Sequence, residues 1–139
     1  MATTYEARTI SVSISRDPHE VYAFAANPAN LPRWASGLSG LGTPLEQAGD
    51  AWVVQTPEGP VTIRFTAPNP FGVLDHWVRP ATGGEVYAPM RVIPNGAGSQ
   101  VLFTLHRLPA MSADQFAADA AWVERDLVAL KALLESSSG

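Results

Sequence analysis

The stretch SADQFAADAAWVERDLVALKALLE, Ser112 to Glu135, decides the fold. Phe116, Ala120, Val123, Leu127, Leu130 and Leu134 recur at steps of four and three, which places all six on one helical stripe. Ser112 is an N-cap candidate, and Gln115 stands three residues on, the spacing of a capping box. Asp114 and Asp119 lie early and Lys131 late, as the helix dipole favours. No Pro or Gly interrupts the run. About 23 residues at 1.5 Å each make a rod of roughly 35 Å, the width of a small domain. Such a stripe has to be buried. A long helix laid across a curved sheet buries it and can roof a cavity.

Upstream of this helix the apolar period falls to two. Val61 to Ala67 alternates, with Val61, Ile63 and Phe65 against Thr62, Arg64 and Thr66. Further strands are expected over Thr9–Ile14, Leu41–Gln47, Ala51–Thr56, Phe71–Arg79, Glu85–Ile93 and Gln100–Arg107, seven in all. Pro89 inside one of them predicts a bulge or an interruption. Turn signals separate them: Pro57 to Pro60, Asn69-Pro70, Ala81 to Gly84, and Pro94-Asn95-Gly96. Asp17-Pro18 opens a helix to Ala26, and Pro28 to Trp34 reads as a second short one. Strands joined by tight turns make an antiparallel meander. One helix covers only one face of it, so the sheet must curl around the helix with its outer face wet. Residues 1–135 are expected to form one domain, with a tail at 136–139.

The composition narrows the function classes. The chain has 139 residues, 46% hydrophobic and 16% charged, which is enough apolar material for a real core. A formal net charge of −4 argues against a nucleic-acid partner. The absence of cysteine excludes disulfides, zinc-thiolate sites and thiol nucleophiles. Three dispersed histidines show no metal-ligand spacing, so neither a metal nor another cofactor is expected. Gly96 to Ser99 lies between strands and reads as a hairpin turn, not a phosphate loop. No signal peptide and no membrane-length apolar run is read, so a cytoplasmic protein is expected.

ISVSISRDPHEVYAFAANPANLPRWA, Ile10 to Ala35, resembles the opening of the START-like, or SRPBCC, superfamily. The shared features are a strand, an Asp-Pro-x-x-Val-aromatic helix (Asp17, Pro18, Val21, Tyr22) and an Asn-Pro…Leu-x-x-Trp helix (Asn27, Pro28, Leu31, Trp34). The closing helix, with Trp122, Asp126, Leu127, Leu130 and Lys131, is similar to the family's last helix. The stretch around Phe71–Arg107 is also similar to a small bacterial subgroup. The resemblance implies an α+β helix-grip fold, a curved seven-stranded antiparallel sheet around the closing helix with a cavity between them. Members bind lipids, hormones, pigments or polyketides. Some cyclise or dehydrate polyketides, and some activate chaperones.

Sheet parity then assigns faces. Ile63, Phe65, Leu74, His76, Val78, Val86, Ala88, Met90, Val92, Val101, Phe103 and Leu105 should point inward. His76 becomes the one ionisable group on that inner face, able to donate to a ligand carbonyl or to act as a general base. His19 and His106 fall outside it. Asp75 and Arg64 should form a cross-strand ion pair on the outer face. A register slip would instead turn Asp75, Trp77 and Arg64 into the cavity. Arg79 and Arg91 are candidates for the cavity mouth. The expected wall is Trp34, Trp52, Phe65, His76, Met90, Phe103 and Phe116, with Ser36 to Gly42 as a lid. Two functions stay open: binding of a small hydrophobic or aromatic, lipid- or polyketide-like molecule, and a cyclase or dehydratase in which His76 moves protons with Arg64 or Tyr87 assisting. A chaperone-activator-like interaction protein is the third. The outer sheet face and exposed edges leave room for a homodimer.

Overall fold

The computed structural model describes residues 2–35, 45–57, 59–81 and 83–136. The element order is β1 (Ala7–Ile14), α1 (Pro18–Ala26), a 3-10 turn (Pro28–Asn30), α2 (Leu31–Trp34), β2 (Glu46–Ala48), β3 (Ala51–Thr56), β4 (Gly59–Phe65), β5 (His76–Arg79), β6 (Val86–Ala88), β7 (Met90–Asn95), β8 (Gly98–His106) and α3 (Ala113–Ser136). The expected lid at Ser36 to Gly42 and most of the Leu41–Gln47 strand lie outside the described residues. None of the described helices is long and apolar enough to cross a membrane.

Local chemistry sets the helix ends. The Asp17 carboxylate accepts the His19 N–H at 2.9 Å and Pro18 takes the first helical position. Asn27 ends α1, and its side chain accepts the Ala29 N–H at 3.0 Å. The single helix expected over Pro28 to Trp34 is a 3-10 turn followed by four α residues. Pro32 has no N–H to give the Pro28 carbonyl, so the α pattern starts only at Leu31, whose carbonyl accepts Ala35 N–H at 2.8 Å. Ser112 caps α3 by accepting the Gln115 N–H at 3.0 Å. The Gln115 amide does not return to the cap; it donates to Asp119 at 2.8 Å.

The α+β fold, with antiparallel sheets and a long C-terminal helix, fits the helix-grip architecture. Its strands depart from the expected single seven-stranded sheet. Eight strands form two sheets, ordered β1-β8-β7 and β2-β3-β4-β5-β6. The extra strand comes from the run expected over Glu85–Ile93, which Pro89 divides into β6 and β7. Proline has no N–H for a ladder. The segment before β5 joins the two sheets. Leu74 N–H donates to the Met90 carbonyl and Val92 N–H to the Gly72 carbonyl, each at 2.9 Å, around a Val73–Arg91 bridge. This is the same register in which His76 faces Ala88. A regular ladder would complete the Leu74–Met90 pair with a bond from Met90 N–H to the Leu74 carbonyl. Instead Met90 N–H donates to the Asp75 carboxylate at 2.9 Å.

The expected strand Phe71–Arg79 is shortened to His76–Arg79 because Asn69 folds its start into a turn. The Asn69 side-chain oxygen accepts the N–H groups of Phe71 and Val73 at 3.0 and 3.1 Å, and its amide donates to the Ala67 and Val73 carbonyls.

The core lies between α3, α1, α2 and the three-stranded sheet. Leu127, Leu130 and Leu134 pack with Ile14, Val21, Val92 and Val101, all 4% exposed or less. Of the predicted stripe, only Val123 is half-buried; the other five members are buried. The far end of α3 is tied to the β1–α1 turn. Arg16 donates to the Leu134 carbonyl at 2.8 Å and Ser15 N–H to the Glu135 carboxylate at 2.9 Å. The first of these bonds satisfies a carbonyl that the helix end would otherwise leave open.

Gly72 has φ +73°, and a Cβ there would stand 2.1 Å from the Val92 carbonyl oxygen. Gly72→Ala is therefore expected to destabilise the fold by about 2 kcal/mol or more, from left-handed strain and the backbone clash together. Urea unfolding of the two proteins measures the difference; equal midpoints would show that this close approach does not hold in solution.

Candidate functional site

A cavity of about 430 Å³ opens between α3 and the five-stranded sheet. Strand residues supply one wall: His76 and Val78 from β5, Val86 and Ala88 from β6. Met90, Phe103 and Leu105 extend it from β7 and β8. Trp34 and Ala35 close the end beside α2. Asp119, Trp122, Val123, Asp126 and Leu127 form the helix side.

The seven expected wall residues separate into two groups. Trp34, His76, Met90 and Phe103 line the cavity. Trp52, Phe65 and Phe116 are not among its described lining residues. Trp52 pairs with Ile63 on the inner face, three strands from β6. Phe65 stands beside His76 with ring centroids 5.9 Å apart and so backs the imidazole. Phe116 is buried one turn before Asp119. The closing helix supplies wall as expected, but through Asp119, Trp122, Val123, Asp126 and Leu127 and not through Phe116. The signal was present, because Asp119, Trp122 and Asp126 repeat at steps of three and four, forming a stripe beside the apolar one.

His76 is 4% exposed and sits between Phe65 and Phe103, each ring 5.9 Å away. Burial among these rings pushes its pKa below the usual 6.5, outweighing the Leu74 carbonyl and the Asp75 charge, which raise it. The imidazole is therefore neutral at pH 7. Its Nδ1 lies 3.0 Å from the Leu74 carbonyl oxygen. A carbonyl can only accept, so Nδ1 carries the proton and Nε2 is left as the acceptor. Donation to a ligand carbonyl, one of the two expected roles, does not fit this tautomer; acceptance or proton abstraction at Nε2 does. Among the described residues the one sealed side-chain nitrogen or oxygen without a partner is Trp34 Nε1.

The charged candidates lie on the opposite, convex face. Asp75 pairs with Arg91 and not with Arg64 as expected. Its carboxylate also accepts the Tyr87 hydroxyl at 2.7 Å. Burial raises the Asp75 pKa, but the Met90 N–H, the Tyr87 hydroxyl and Arg91 together hold it below 3.8. Tyr87 stacks on Trp77 at 5.6 Å, and Arg64 covers Trp77 at 5.7 Å. Arg64 and Arg79 both reach Glu85, at 3.4 and 3.7 Å. Arg64, Arg79, Tyr87 and Arg91 are thus absent from the described lining, and the slipped register with Asp75, Trp77 and Arg64 in the cavity is not adopted. No group of three or more potential metal ligands occurs among the described residues.

This architecture is that of a helix-grip protein with a pocket open between the sheet and the closing helix. Residues 7–135 match the family described as polyketide cyclase / dehydrase and lipid transport, and the chain belongs to that family. The START-like, SRPBCC-type assignment follows from it. A comparison with curated proteins finds no match. Solved structures share the fold. A Mesorhizobium loti protein superposes with a TM-score of 0.72 at 13% identity, over 96% of this chain and 100% of its own. The Aha1 dimer of Colwellia psychrerythraea gives 0.69 at 15% identity, over 96% and 99%. DynU16, a protein of the dynemicin biosynthetic locus, gives 0.69 at 16% identity, over 95% of this chain and 48% of its own.

Two outcomes follow from the buried pair of titratable groups. Asp75→Asn should cost about 1–3 kcal/mol, because the neutral amide loses the ion pair with Arg91 and one of the two acceptor oxygens. Both pKa values are lowered on folding, so each group's stabilisation is lost as pH falls. For His76 the loss begins below 6.5, and for Asp75 below 3.8, each continuing through the lower folded value. Urea titrations from pH 8 to pH 5 should show falling stability in the wild type and a shallower fall in His76→Phe. Parallel slopes would contradict a neutral buried His76.

Proposed function

We propose that the protein binds a small hydrophobic or aromatic molecule, lipid- or polyketide-like, in the cavity between the five-stranded sheet and α3. The observation that carries this reading is the cavity itself. At about 430 Å³ it falls within the range of small-molecule sites, roughly 300–1,000 Å³, and its lining is overwhelmingly apolar. Met90 and Phe103 give it an adaptable and a flat surface. Family membership supports the same reading. An interaction protein without a ligand, the chaperone-activator-like alternative, would need a filled interior, which this cavity does not resemble.

A cyclase- or dehydratase-type enzyme is the second reading, favoured by one observation: a neutral His76 with its Nδ1 proton anchored is oriented as a base through Nε2. Arg64 and Tyr87 are not available to assist it from the convex face. In that reading His76→Phe removes turnover of a polyketone while ligand binding persists.

The binding reading is tested with prodan, an uncharged naphthalene dye that brightens and shifts to the blue in apolar sites. Saturable binding to the wild-type chain is expected. Val123→Trp, which fills the cavity from the helix side, should weaken it at least about tenfold while the circular dichroism is unchanged. Absent binding, or binding indifferent to Val123→Trp, would overturn the proposal.

A further inference from the structure

The polar groups of the cavity restrict what it can hold. Resting on the binding reading above, we infer that the preferred ligand is an uncharged apolar molecule bearing one hydroxyl or N–H donor, and that carboxylate ligands such as fatty acids are rejected. Three observations carry this. The Leu74 carbonyl, 3.0 Å from Nδ1, fixes the tautomer, so the imidazole presents an acceptor to the cavity it lines. Nε2 has no partner among the described residues and is not among their sealed polar atoms, so the cavity space is where its partner must come from. The charged groups of the described lining are both carboxylates, Asp119 and Asp126, while the arginines near the sheet face outward.

The energetic logic is one of mismatch. A ligand hydroxyl meeting Nε2 makes a hydrogen bond shielded from water. A ligand ether or carbonyl meeting it brings two acceptors together. A ligand carboxylate does the same and adds repulsion from the helix side. Leaving a buried polar group unmatched costs more than making the match gains, so the discrimination is against the wrong ligand more than for the right one.

The test is a matched series on one bicyclic skeleton: 5,6,7,8-tetrahydro-2-naphthol, its methyl ether, tetralin, and 5,6,7,8-tetrahydro-2-naphthoate. Each is titrated into the full chain by calorimetry at pH 7.5. The naphthol should bind about fivefold or more tighter than the ether and tetralin, and the naphthoate should bind weakest. In His76→Phe the naphthol should lose its advantage over the ether while tetralin keeps its affinity. The wild-type series decides by itself if that variant does not fold. An ether that binds as tightly as the naphthol, or a naphthoate that binds tightest, overturns this inference and leaves the cavity reading standing. Failure of all four to bind overturns the cavity reading and this inference with it.

Discussion

The structure depends on how the chain handles a strand that contains a proline. Pro89 has no N–H to offer Thr104, whose own N–H its carbonyl accepts, and β6 and β7 part there; on the opposite edge the next N–H, that of Met90, is taken by a side chain. The Asp75 carboxylate repairs the break by accepting the Met90 N–H that the Leu74 carbonyl would otherwise take. That substitution has a second effect one residue away. The Leu74 carbonyl, released from the ladder, accepts the proton of His76 Nδ1. The carboxylate that takes the Met90 N–H thus leaves free the carbonyl that sets the protonation pattern of the ring in the cavity. Backbone bonding and site chemistry are here one problem with one solution.

Adjacent residues on a strand point to opposite faces, and the sequence uses this strictly at Asp75-His76. The charge goes to the convex side, where Arg91 and Tyr87 meet it. The group that can be neutral goes to the concave side, between two phenylalanines. Reversing the order would place a carboxylate among Met90, Phe103 and Leu105, where desolvation costs several kcal/mol unless a partner follows it in. The convex stack of Arg64, Trp77 and Tyr87 belongs to the same division of labour. It covers outer apolar surface with groups that tolerate water.

Much of this was legible in the sequence. The period of α3, the Asp17-Pro18 start of α1 and the alternation of Val61 to Phe65 each follow from spacing alone. The inner position of His76 followed from parity, because the register holds from β4 through β6. Parity could not supply the partners. Asp75 and Arg64 do share a face, yet Arg91, sixteen residues along, reaches Asp75 because the Val73–Arg91 bridge continues the β5–β6 register past Pro89 and sets Arg91 on the same face. Nor could sequence say how far along the sheet the cavity extends. Trp52 faces inward as expected but lies too near the other edge to reach it, and Phe116 is one helical turn too early. The Asp119–Trp122–Asp126 stripe was overlooked because half-exposed helix residues resemble ordinary surface until a cavity is found beside them.

The helix and the two sheets are not bonded alike. α3 packs on β1 and β8, and its C-terminal end is tied to the turn after β1, so helix and three-stranded sheet form one block. The five-stranded sheet faces that block across the cavity and joins it along a short seam at Gly72–Leu74, Asp75 and Met90–Val92. In mechanical terms the molecule is a block with a wing, and the seam is the line about which the wing would swing. The angle between wing and block fixes the width of the cavity, and the leucine core of the block takes no part in setting it. That angle is held by a few hydrogen bonds around one carboxylate.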